Sequence, residues 1–307
     1  MVTEYNREKL MEAAGFLPRQ LRWAIGNLSP ELQSGVEEIR LRSGRTMTVV
    51  VAGEERSTGA MVTGADLELT LEMATQSSAY AAMDQIKSGF VSLRGGHRLG
   101  LCGTGVIKGG AVANLRQISS MALRIAHQVP KVALPLLPEL WEEDTICNTL
   151  IVSPPGRGKT TLLRDLVRCL SDGVAHRPMR IGLADERGEL AAMSGGRPQM
   201  DVGLHTDVMD GCPKGEAMLM LLRGMAPQVL AVDEVTSPQD VEAMETAVGC
   251  GVALLATAHA SGLSDLSRRP LYRRLLEQGI FRRVVTISQE GSQRRYQVHF
   301  PGEEISW

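Results

Sequence analysis

The sequence predicts an α/β fold with a mostly parallel sheet, preceded by a smaller α+β domain, and three observations carry that expectation. Beyond Glu139, short apolar runs alternate with helical patterns; before it, strand-like runs meet at tight turns; and Leu134-Pro135-Leu136-Leu137-Pro138 has the proline spacing of a linker. Strands that alternate with helices argue for parallel pairing, because each crossover helix covers a face of the sheet. The expected domains are therefore 1–138 and 139–307.

Bulk composition narrows the classes. At 307 residues and 43% hydrophobic content the chain can bury a sizeable core, and 33 basic against 35 acidic residues leave no overall field to draw it to nucleic acid or an anionic membrane. The cysteines at 102, 147, 169, 212 and 250 are odd in number and widely spaced, which suits neither a disulfide framework nor a zinc site. Met1 to Glu12 is charged throughout and lacks the apolar centre of a signal peptide; no apolar run is long enough to span a bilayer. A cytoplasmic protein, at most peripheral to a membrane, is expected.

In the amino-terminal part a helix is expected over Pro18 to Leu28. Val36 to Arg42 and Met47 to Ala52 read as a hairpin turning at Ser43-Gly44-Arg45, and the charged alternation of Glu37-Glu38-Ile39-Arg40-Leu41-Arg42 predicts one solvated face. Helical patterns follow at Ala65 to Thr75, Ala79 to Lys87 and Ser119 to Val129, the last carrying Arg124 and His127. Between Gly89 and Gly110, glycines punctuate short apolar pieces that suit antiparallel strands.

In the carboxy-terminal part strands are expected at Cys147 to Val152, Arg180 to Asp185, Gln228 to Asp233 and Gly251 to Thr257, with a closing hairpin from Arg283 to Ser288 and Arg295 to Phe300. Between the first strand and a helix starting near Thr160 lies Ser153-Pro154-Pro155-Gly156-Arg157-Gly158-Lys159-Thr160-Thr161. Strand, glycine loop and helix in that order form a phosphate-binding loop: the glycines let successive N–H groups face an anion, and the helix dipole adds to them. Lys159 is the residue to reach the outer phosphates of ATP, Thr160 to ligate Mg2+, and Thr161 to cap or support. Ser153 stands where the usual pattern has glycine.

Ligands of such sheets bind beyond the carboxyl ends of the strands. The third strand ends in Asp233-Glu234, where Asp233 would hold magnesium and Glu234 would orient or deprotonate water. The second ends in Asp185-Glu186-Arg187, giving Glu186 a place near the γ-phosphate and Arg187 a role in charge neutralisation. The fourth ends in Thr257-Ala258-His259, giving His259 a place to bond that phosphate. Arg197, in the glycine-rich stretch after Ser194, and Arg223, on a helix over Lys214 to Met225, are further phosphate candidates. Arginines 268, 269, 273, 274, 282 and 283 face few acidic neighbours in sequence and make a local basic patch.

Phosphate loop, aspartate box, acidic strand end and histidine box, in this order, resemble the secretion ATPase superfamily of RecA-like P-loop motors over roughly Trp141 to Ser288. Glu38-Ile39-Arg40-Leu41-Arg42, Gly95-Gly96-His97-Arg98-Leu99-Gly100, Gly195-Gly196-Arg197-Pro198-Gln199 and Cys212-Pro213-Lys214 look like the stage III sporulation protein AA family over nearly the whole chain. That resemblance implies an ATPase with a RecA-like core and an amino-terminal domain covering the nucleotide. It also implies homo-oligomeric rings, hexamers among them, at the cytoplasmic face of a membrane channel complex between mother cell and forespore. A neighbouring subunit could then supply an arginine, with Arg124 a candidate. The rival readings are a nucleic-acid-dependent ATPase working through the patch at 268 to 283, and a nucleotide switch or scaffold with little turnover.

Overall fold

The computed structural model describes residues 2–75, 86–87, 89–109, 111–290 and 293–301. The chain divides into two compact units, Met1–Gln128 with Ser194–Gln199, and Val129–Met193 with Met200–Trp307.

The first unit holds a six-stranded antiparallel sheet. Its strands are β1 (Val36–Arg42), β2 (Arg45–Val51), β3 (Glu54–Val62), β4 (Phe90–Ser92), β5 (Arg98–Lys108) and β6 (Ala111–Arg124), in the order β3-β2-β1-β6-β5-β4. Alternate residues such as Ile39, Leu41, Met47, Val49, Leu99, Met121 and Leu123 fill one core with side chains of the helices Val2–Ala14, Arg19–Gly26 and Gly64–Thr75. The hairpin at Ser43-Gly44 forms where expected, with Gly44 at φ 72°.

Two expectations fail here. The charged face of β1 is not simply solvated: Glu38 is buried, and it pairs with Arg40 and with Arg124 Nε at 3.2 Å. β1 is flanked by β2 and β6, and β6 supplies Arg124 opposite Glu38. Ser119 to Arg124 is not helix but the end of β6, paired with both β1 and β5. Met121, Leu123 and Ile125 are all buried, a period of two that the sequence did contain. The helix expected over Ala79 to Lys87 falls largely on 76–85, outside the described residues.

The second unit is built on a seven-stranded sheet. Its strands are β9 (Thr149–Ser153), β10 (Ile181–Asp185), β11 (Thr206–Asp210), β12 (Val229–Val232), β13 (Ala253–His259), β14 (Arg283–Glu290) and β15 (Gln293–His299), after a small hairpin of β7 (Trp141–Glu142) and β8 (Thr145–Ile146). The order is β11-β10-β12-β13-β9-β14-β15, parallel throughout except for β15. Alternation sends Ile151, Leu183, Ala231, Leu255 and Val285 to one core, which the helix Lys159–Ser171 covers. Leu150, Val152, Leu230, Val232, Leu254 and Val284 line the other, under the helices Lys214–Met225, Pro238–Gly249 and Pro270–Glu277. Burial on both faces is why these strands read as unbroken apolar runs.

The stretch expected as linker is packed structure of this unit. Ala133, Leu136, Leu137 and Leu140 are buried in its core, and Asp165 Oδ2 accepts from Ala133 N at 2.8 Å. Edge strand β11 follows the glycine-rich stretch after Ser194 and is not among the strands expected from the sequence. No helix of the described residues is long and apolar enough to cross a membrane.

Candidate functional site

The loop after β9 takes the shape its glycines permit. Gly156 and Gly158 have φ of 74° and 95°, the left-handed region that side chains resist, and Gly158 leads directly into the helix at Lys159. Ser153, in place of the usual glycine, is the last residue of β9 and sits in register with His259, so the extended backbone there accommodates its side chain. Its Oγ donates to Pro154 O at 3.1 Å. Pro155 and Arg157 are exposed, and Thr161 is partly so.

Lys159 is buried and fully engaged. Its Nζ donates to Ser153 O at 2.7 Å and Pro154 O at 3.1 Å, and lies 2.7 Å from His259 Nδ1. An ammonium can only donate, so Nδ1 accepts and the imidazole proton belongs on Nε2, which faces Glu234 Oε1 at 3.1 Å. Burial pushes the Lys159 pKa down, against the pull of the Asp233 and Glu234 carboxylates.

The carboxylates at the end of β12 are set by register. Val232 pairs with Ala256, which brings Thr257 of β13 beside Asp233. Thr257 Oγ1 donates to Asp233 Oδ1 at 2.5 Å and accepts from Glu234 N at 2.8 Å, while Thr160 Oγ1 donates to Asp233 Oδ2 at 2.8 Å. Glu234 adopts φ 51°, unusual for a residue with a side chain, and so turns the chain at the strand end. Thr160 and Asp233 thus present two hard oxygen donors to one point, which fits magnesium, an ion that takes few protein ligands and keeps several waters.

The end of β10 divides its work. Asp185 is buried and accepts from the backbone N–H groups of Glu189, Leu190 and Ala191 at 2.8–3.2 Å, so its carboxylate holds the following turn. Glu186 pairs with Lys214 Nζ at 3.2 Å, and Arg187 Nη1 donates to Glu234 Oε2 at 2.8 Å. Buried Lys214 also donates to Glu234 O at 2.7 Å. Glu186, Arg187, Lys214, Asp233 and Glu234 line one cleft.

The remaining candidates have the following local surroundings. Arg197 is exposed on a turn bridged to Ser194, in the segment that belongs to the first unit. Arg223 sits in the last turn of the helix that starts at Lys214, about 14 Å along its axis from that lysine. Arg124 is paired to Glu38. The basic patch is mostly neutralised: Arg269 pairs with Asp265, Arg274 with Glu245, and Arg282 and Arg283 with Glu142. Sequence reading missed Lys214 and the role of Thr257. The available signal was a lysine following Pro213 at a helix start and a lone hydroxyl in an otherwise apolar strand.

A family model described as "Sporulation stage III, protein AA" matches residues 7–300. Stage III sporulation protein AA of Bacillus subtilis (strain 168) is 38% identical over 279 residues, covering 91% of each chain. Among solved structures, the ATPase DotB of Yersinia pseudotuberculosis superposes with a TM-score of 0.63 at 13% identity, over 94% of this chain and 81% of that one. The pilus retraction motor PilT, solved with bound ADP, gives 0.58 at 17% identity, over 88% and 80%. At such identities the likeness shows the fold alone.

Proposed function

Because the chain belongs to the sporulation stage III protein AA family, we propose that it is a magnesium-dependent ATPase. What carries the reading is the bond between Thr160 and Asp233 at 2.8 Å, next to the chain of contacts from Lys159 through His259 to Glu234. Lys159 would leave its carbonyl partners for the β- and γ-phosphates of ATP, and the loop amides would hold the same oxygens. Thr160 and Asp233 would hold magnesium, which when bound neutralises charge on the phosphates. Glu234 would orient the attacking water and accept its proton as oxygen joins the γ-phosphorus and the bond to the β-phosphate oxygen breaks, leaving ADP and phosphate. His259 then tracks the γ-phosphate, since the Lys159 ammonium it now bonds would be turned toward that group. Arg187, and Glu186 through Lys214, keep Glu234 in place.

In keeping with the family, the proposal extends to a homo-oligomeric ring, its amino-terminal unit covering nucleotide, that energises or assembles a channel complex at the cytoplasmic face of a membrane during sporulation. The pairing of the arginine patch with carboxylates speaks against the nucleic-acid-dependent reading. The test is steady-state ATP hydrolysis with magnesium across a range of protein concentrations. Wild-type turnover should rise with concentration, and Lys159→Ala and Glu234→Gln should each lower it by about a hundredfold or more. ATP binding without turnover in the wild type would instead favour a switch or scaffold.

A further inference from the structure

The loop has a second basic neighbour, and it comes from the far end of the chain. Arg294 lies on β15, opposite Gln289 of β14, and β14 runs parallel to β9, the strand that feeds the phosphate loop. A Cβ built on Gly158 would meet Arg294 Cζ and Nη1 at 3.0 Å and Nε at 3.3 Å. The guanidinium therefore lies against the loop's last glycine, where the backbone conformation and the arginine both exclude a side chain. Tyr296, two residues along, hydrogen-bonds the same guanidinium. One neutral hydroxyl uses part of a five-donor fork, and the residue is exposed.

We propose that Arg294 binds the phosphate chain of the nucleotide beside the loop's last glycine, so that β15 forms one jaw of the site and Lys159 the other. This rests on the nucleotide-binding reading above and adds to it a ligand contact that no phosphate-loop motif contains. The planar fork suits two phosphate oxygens at once, which a lysine at the same place would meet only as a point charge.

The test uses the full chain with fluorescent ATP and ADP analogues and, as a competitor without phosphate, adenosine, all with magnesium. Arg294→Gln should weaken ATP and ADP binding about tenfold while leaving adenosine competition unchanged, and Arg294→Lys should recover part of the loss. Thermal melting of each variant reports whether the fold is kept. Equal loss for adenosine and ATP, or unchanged ATP affinity in Arg294→Gln beside a wild type that binds, would overturn the inference and leave nucleotide binding standing. A wild type that binds ATP no better than Lys159→Ala would overturn both.

Discussion

Asp185 and Asp233 end neighbouring strands of one parallel sheet, yet they are held in opposite ways. Asp185 is sealed by backbone amides of the turn that follows it, whereas Asp233 is held by two hydroxyls, Thr160 and Thr257, from different elements. Amides that serve a carboxylate from its own turn fix the chain and have no other acceptor. Hydroxyls can rotate, and an oxygen that accepts from one retains lone pairs for a cation. The same residue type at the same kind of position is thus a structural clamp in one strand and, in the proposed function, a magnesium ligand in the next.

Exchanging each for its amide should separate the two most sharply. Asp185→Asn is expected to lower stability by about 2–4 kcal/mol, since an amide oxygen replaces a carboxylate and its NH2 faces backbone donors. Asp233→Asn should melt within about 1 kcal/mol of wild type and lose most magnesium-dependent turnover. Chemical denaturation beside hydrolysis assays reads both, and the comparison collapses if Asp185→Asn is inactive at full stability. A smaller effect is expected at Thr257. Thr257→Val removes a donor to Asp233 and the acceptor for Glu234 N, costing about 1–2 kcal/mol, and Thr257→Ser should restore most of it.

The smallest effect concerns Asp210, at the end of β11. Burial, and then the Asp185 charge, raise its pKa above the usual aspartate value. A raised carboxylate pKa destabilises the fold above that pKa, and the penalty is relieved as pH falls through it toward the unfolded value. In Asp185→Asn the like charge is gone, so the Asp210 titration followed by NMR should move down. No movement would mean that burial alone raises the Asp210 pKa.

What was legible in the sequence was local. The phosphate loop is nine consecutive residues between a strand and a helix, and Asp233-Glu234 closes an apolar run, so both announce themselves without knowledge of the fold. β11 escaped because Thr206-Asp207-Val208-Met209-Asp210 is an edge strand, polar at three of five positions. Ser119 to Arg124 was misread as helix although its buried residues alternate. The arginine patch looked unpaired because two of its partners, Glu142 and Glu245, lie far away in the chain. Lys214 and Arg294 reach the rim by the same kind of long-range closure, to which sequence spacing gives no guide.

The three partners of Lys159 bear on the proposed turnover. The ammonium donates to Ser153 O and Pro154 O and bonds His259 Nδ1, so the site's own acceptors can satisfy its charge. If the chain hydrolyses ATP as proposed, departure of a phosphate would be an exchange of one set of acceptors for another and not the exposure of a bare cation. A site that swaps ligands in this way can let go of its product without first coming apart.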